Sequence, residues 1–200
     1  MPLLQRRDSY SNIQVPLLKR IGYGLGHVLN DMCAAMWFTY LLIFFHKVIG
    51  FDDVYAGALL AIGQLADGLS TVFVGLFSDK SGNYWMCNRF GNRKSWHFVG
   101  TACVIFSFPF IFSTCINCED SSQSMQMVYY TVFIIILQFG WAAVQLSHLA
   151  MIPELTSSEH EYTLLTSIRY CCYYSDSYLI SHWLTDIEIA ILAYCNLAYH

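Results

Sequence analysis

Two carboxylates stand inside strongly apolar sequence, and that placement limits what they can be for. Asp67 lies near the middle of YAGALLAIGQLADGLSTVFVGLF, residues 55–77. A charged side chain at the centre of a bilayer costs at least ~2.5 kcal/mol on insertion scales, so such residues face partner helices or a polar cavity and mark ion or proton paths. Asp31 follows Asn30 about a third of the way into an earlier apolar run, with His27 one helical turn before it on the same face. Carboxylates in this setting can take up a proton or cation on one side of a membrane and release it on the other. Asn30, Gln64, Thr71 and Gln145 are uncharged hydrogen-bonding groups that could hold a polar solute in the same cavity. His27 and His148 read as packed, hydrogen-bonded residues rather than proton carriers. Cys115 and Cys118 form a C-x-x-C in a short acidic loop. Without a second pair or nearby histidines this does not read as zinc; a disulfide on an oxidising face is the better reading.

The elements that must position these groups are helices long enough to cross a bilayer, about 20 apolar residues each. Four are expected, over about 21–45, 55–77, 96–113 and 127–152. The first opens on IGYGLG, whose glycines permit close helix contact. In the second, Gly63, Asp67, Thr71 and Gly75 recur every four residues. That stripe of mostly small residues suits a helix interface or a cavity wall. Pro109 kinks the third, and Pro153 closes the fourth. The polar segment PELTSSEHEYTLLTSIR then reads as a helix start, with Ser157 or Ser158 as cap and Glu161 in the first turn. After residue 170 the apolar signal degrades, and 171–200 could form one poor fifth span, an interfacial helix or nothing stable. The fold class is therefore all-α, a polytopic membrane bundle.

Composition agrees: the 200 residues are 56% hydrophobic and 12% charged, against about 25% charged in soluble domains. Eight of the ten Lys and Arg fall in the first 20 residues or between Lys80 and Lys94. Short basic loops stay cytoplasmic, which puts a tail of residues 1–20 and the loop 78–95 in the cytoplasm and the Cys115–Cys118 loop outside or in a lumen. No apolar signal-peptide core precedes the first span. No zincin, serine-hydrolase or phosphate-loop motif occurs, so an enzyme is not expected, nor is a cofactor, a metal or a nucleic-acid partner.

The run GLFSDKSG (Gly75, Asp79, Lys80, Gly82), followed by RFGNRK (Arg89, Arg93, Lys94), resembles the cytoplasmic loop motif of the major facilitator superfamily. YGLG (Tyr23, Gly24, Gly26) followed by Asp31, with Asp67 above the loop, narrows the likeness to the glycoside–pentoside–hexuronide:cation symporter branch. Pro153, Thr156, Glu159, Glu161 and Arg169 match the segment after the fourth span, and the run PELTSSEHE is nearest to the animal lysosomal and melanosomal cysteine-transporter type. The resemblance covers residues 20–170. It implies the N-terminal part of a twelve-span transporter that works by alternating access. It assigns cation or proton coupling to Asp67 and Asp31, a gating cluster to the loop residues Gly75 through Lys94, and the solute to a sugar or cysteine. The sequence departs from the sugar-transporting members at Thr71 and Gln145, where they carry carboxylates, and at Tyr162, where the motif has arginine. Two functions follow. One is a solute:cation symporter in a lysosomal, melanosomal or plasma membrane. The other is a truncated, transport-incompetent membrane fragment that acts through helix association with other subunits.

Overall fold

A computed structural model describes residues 14–78, 87, 89, 91–116, 118 and 121–171. Among the described residues every regular element is helical. Pro16, extended at ψ 141°, precedes α1, Leu17–Leu25. A turn at Gly26 and His27 leads into α2, Val28–Ile43, which continues as a π-helical turn, Phe44–Ile49. Gly50 stops it at φ 80°, a left-handed conformation that costs glycine nothing. Then come α3, Asp53–Ser78; α4, Asn92–Ile111; α5, Gln123–Ala150; α6, Ile152–Leu155; and α7, residues 159–171.

Three helical stretches among the described residues are long and apolar enough to cross a membrane: Leu17–Ile49, Asp53–Ser78 and Gln123–Leu155. At 1.5 Å per residue α3 alone reaches about 39 Å, more than a hydrocarbon core of about 30 Å. Where a third span is expected, over 96–113, the helix is α4, whose first turn carries Asn92, Arg93 and Lys94 and which is not among these three stretches. It is nonetheless a full member of the bundle, packed along α5. The first helix begins at Leu17, inside the stretch expected to be tail, because Leu-Leu-Lys-Arg after Pro16 are all strong helix formers and Val15 is buried against the bundle. Residues 1–13 and nearly all of the 171–200 segment lie outside the described residues, as do Asp79, Lys80 and Gly82.

The helices alternate in direction, and side-chain contacts fix which ends meet. At one end Asp52 N–H donates to Gln123, and Tyr55 meets Ser124. At the other, Asn92 donates to Ser78 O and Arg93 donates to Ala150 O. The two ends differ in kind. Toward the 49–53 and 111–123 connections the interior is apolar and aromatic: Trp37, Leu41, Phe45, Phe51, Leu59 and Tyr130 are each at most 1% exposed. Nearby, Cys115 and Cys118 are joined as a disulfide. At the end where α1 starts the interior is polar.

α5 is the central helix, packed against both α3 and α4. The approach to α4 is close because Gly100 and Gly140 face each other. A methyl group added at Gly100 would sit 2.7 Å from Gly140 O and 2.9 Å from Val144 N. Small residues at crossings let backbones approach where no hydrophobic effect drives them together.

Candidate functional site

Five separate elements contribute to the polar end. His27 sits in the α1–α2 turn and is 1% exposed. Its Nδ1 lies 2.9 Å from Asp31 Oδ1, one turn on in α2. Its Nε2 lies 3.2 Å from an Arg169 guanidinium nitrogen on α7 and 3.4 Å from Asn30 Nδ2. His148, near the end of α5, donates from Nε2 to Tyr23 O at 2.8 Å and stacks on the Tyr23 ring with centroids 4.0 Å apart. His97, in the first turns of α4, donates from Nε2 to Gly26 O at 3.2 Å. The ring centroid of His148 is 4.9 Å from that of His27 and 5.9 Å from that of His97.

Local structure explains why these groups meet. The YGLG stretch ends α1 and leaves the Tyr23 and Gly26 carbonyls available to side chains. A helix end without intrahelical partners satisfies its carbonyls elsewhere, here through two histidines from α4 and α5. Beside this cluster Glu161, 4% exposed, accepts from Arg20 at 2.8 Å and from the Val15 amide at 3.4 Å. The start of α7 is thereby pinned to the start of α1. Leu165 in the same helix packs, fully buried, with Tyr23 and Ile152.

The expected site residues are not gathered in one place. Asp31 and Asn30 belong to the polar end. Asp67 stands on α3, half-buried, with no hydrogen bond or ion pair among the described residues. Gln64 and Thr71 are exposed on the same helix, and Gln145 is exposed on α5. The four-residue stripe drifts out of the bundle. Gly63 packs on Trp37, Asp67 lies at the edge, and Thr71 and Gly75 are exposed, with nothing near Gly75 for a methyl group to meet. The reason is geometric: a step of four residues overshoots a 3.6-residue turn by about 40°. Of the expected loop cluster, Arg89 and Lys94 are exposed. Arg93 reaches the Ala150 carbonyl and lies 3.4 Å from Glu154. Glu159 is exposed, while Glu161 reaches back to Arg20 on α1 and Arg169 to His27 in the α1–α2 turn.

His97 and the Arg20–Glu161 pair are the groups the sequence reading missed. His97 sits just past a basic stretch and looks like a surface residue, and Arg20 and Glu161 are 141 positions apart. The available signal was a histidine within three residues of the start of an apolar run, which places it inside a helix end rather than in a loop. A buried pair at the α2–α3–α5 contact was also missed. Gln138 is 0% exposed, and among the described residues neither its amide atoms nor the Trp37 indole N–H beside it has a hydrogen-bond partner.

Residues 22–187 match the family described as MFS/sugar transport protein. The chain is 50% identical over 155 residues to human Major facilitator superfamily domain-containing protein 12, covering 77% of this chain and 32% of that protein. It is 26% identical over 165 residues to an uncharacterized symporter of Synechocystis sp., covering 82% of this chain and 29% of the relative. It is 26% identical over 170 residues to the isoprimeverose transporter of Lactiplantibacillus pentosus, covering 84% and 33%. The chain thus spans about a third of the length of these relatives, and no solved structure matches it. With an all-helical bundle of membrane-crossing length and a family match over most of its residues, this chain belongs to the major facilitator superfamily, within its MFS/sugar transport protein family.

Proposed function

We propose that these residues form part of a secondary active transporter, a solute:cation symporter that moves a small polar solute such as a sugar or cysteine by alternating access. The observation that carries this reading is Asp67: a carboxyl group midway along a 26-residue apolar helix, half-buried and unpartnered among the described residues, flanked by exposed Gln64 and Thr71. That polar strip on an otherwise apolar surface has the character of one wall of a solute path. Asp67 and Asp31 are the coupling residues, for a proton or sodium; Asn30, Gln64, Thr71 and Gln145 contact the solute. Arg93, with its neighbours in the 75–94 stretch, acts as the gate at the basic end. That end faces the cytoplasm, with the N-terminus, in a lysosomal, melanosomal or plasma membrane. The named sugar carrier among the relatives supports the solute class, and the asymmetric loop charge supports the orientation.

The test is uptake of labelled cysteine and of mono- and disaccharides into proteoliposomes under an imposed proton or sodium gradient. Gradient-driven uptake that Asp67→Asn abolishes without loss from the membrane is the expected result; full uptake in that variant overturns the coupling assignment. The exposed apolar face of α3, with Leu65, Leu69, Val72 and Leu76 all more than 60% exposed, favours one alternative. In it the chain carries nothing alone and acts by helix association with other membrane subunits. Uptake by the isolated 200-residue chain would eliminate that alternative.

A further inference from the structure

The Cys115–Cys118 bridge joins no two helices. Both cysteines lie in the connection between α4 and α5, three positions apart. A disulfide steadies a fold chiefly by restricting the unfolded chain, and the gain grows with the length of the loop it closes. A ring this short is near the bottom of that scale. The connection also has other fastenings. The Tyr130 hydroxyl donates to Ser113 O at 2.9 Å, and the Gln126 amide donates to Cys118 O at 3.1 Å and to Ser121 O at 3.4 Å. The Ser121 N–H donates to Cys118 O at 3.1 Å. None of these bonds uses a sulfur atom, so the loop keeps its path whether the sulfurs are joined or not. The two ends of the bridge are unequal. Cys115 is 6% exposed and belongs to the apolar cluster that includes Ile111 and Tyr130, whereas Cys118 is partly exposed.

We propose that this bridge is a thiol–disulfide exchange site for small aminothiols, entered at Cys118. C-x-x-C is the spacing of dithiols that cycle between joined and open forms. Exchange requires a thiolate to reach one of the two sulfurs, and the Cys118 end is the one open to it. The small thiolate bonds to Sγ of Cys118. The Sγ–Sγ bond breaks, and its electron pair leaves on Sγ of Cys115, which takes a proton from water. A second small thiolate then attacks the small-molecule sulfur of the mixed disulfide. The small molecule departs as its own disulfide, and Sγ of Cys118 keeps the electron pair and takes a proton. Two small thiols are oxidised, and the protein bridge is reduced by the same two electrons. A small disulfide runs the sequence backwards and restores the bridge.

Charge selects the class of thiol. From Thr114 to Gln126 the chain carries Glu119 and Asp120 and no basic side chain. The connection before α3 adds Asp52, whose N–H donates to Gln123 at the start of α5. An anionic thiol such as glutathione is repelled as it approaches this end of the bundle. An aminothiol is not, because its ammonium group offsets the charge of its thiolate. None of this depends on which solute the molecule transports.

The test uses the full 200-residue chain in nanodiscs, with cysteamine and glutathione compared at equal thiolate concentration. Acid quenching, alkylation and peptide mass spectrometry follow the bridge with time. Cysteamine should reduce it ~3-fold or more faster than glutathione at low ionic strength, and added salt should narrow the gap. The mixed disulfide trapped early should sit on Cys118. Glu119→Gln combined with Asp120→Asn should bring the two rates together. The reduced native chain should melt within a few degrees of the oxidised one. Four results would each overturn the proposal: a bridge that neither thiol opens under conditions that reduce cystine, early adducts on Cys115, equal rates for the two thiols or a gap that survives the double substitution, and a fold that collapses on reduction. The first, second and last are read on the native chain and need no variant to fold.

Discussion

Asp31 and Asp67 are the same chemical group in the same apolar surroundings, and their neighbours divide them. Asp31 is 8% exposed, with its Oδ1 2.9 Å from the His27 ring; Asp67 has no hydrogen-bond or ion-pair partner among the described residues. Asp67→Asn should leave thermal stability in detergent within ~0.5 kcal/mol of the native chain, as for substitutions that break no contact. Asp31→Asn should cost roughly 1–3 kcal/mol, because it changes the polar group that faces the buried His27 ring at 2.9 Å. Equal losses would mean that Asp67 has a structural partner after all. Gln138 makes a converse case. Both its amide atoms are buried without a hydrogen-bond partner among the described residues, so Gln138→Leu should stabilise the chain by up to ~1–3 kcal/mol in chemical unfolding. A large destabilisation would show that this amide holds something in place. The sequence displayed all three residues as polar groups in apolar runs, but nothing in it said which of them has a neighbour.

Elements in this bundle are fastened in two ways. Along the membrane-crossing helices the fastening is close approach, as at Gly100 and Gly140. Gly100→Ala should cost about 1–3 kcal/mol through overpacking against backbone atoms that cannot yield. Gly57→Ala, where an added methyl group meets nothing within 4 Å, should be neutral or slightly favourable by helix propensity. At the polar end the fastening is charge. Arg20→Ala strands Glu161 in a nearly buried site and should cost on the order of 3 kcal/mol, with loss of protection at the start of α7. The helices themselves were readable from apolar run length, and the start of α7 from the Ser-Ser-Glu signature. The early start of α1 was not, since Lys19 and Arg20 look like tail residues until Glu161 supplies the partner for one of them. The composition of α4 misled in the other direction. Its apolar stretch suggested a clean span, whereas the helix runs four residues further into the basic loop, because Arg93 is drawn to the α5 carboxyl end.

At the scale of the whole bundle the dominant feature of the described residues is a difference between the ends, with an aromatic interior at one and imidazoles, carboxylates and guanidinium groups at the other. The proposed orientation puts the charged end in the cytoplasm. A membrane-impermeant thiol reagent added outside should label a cysteine placed at Ser124 and spare one placed at Leu17, on a background with the native cysteines replaced. The reverse pattern would invert the topology. The sequence by itself determined that the chain is a helical membrane bundle and where most of its long helices run. Those properties follow from run length and charge, which are local sums over neighbouring residues. Only the tertiary structure decided that Asp31 faces His27 while Asp67 has no partner among the described residues, that the Gly63–Gly75 stripe turns outward, and that Arg20 with Glu161 and His27 with Arg169 join α1 and the α1–α2 turn to the last described helix. Those outcomes depend on helix rotation and on contacts between residues more than 140 positions apart, which no periodicity along the chain encodes.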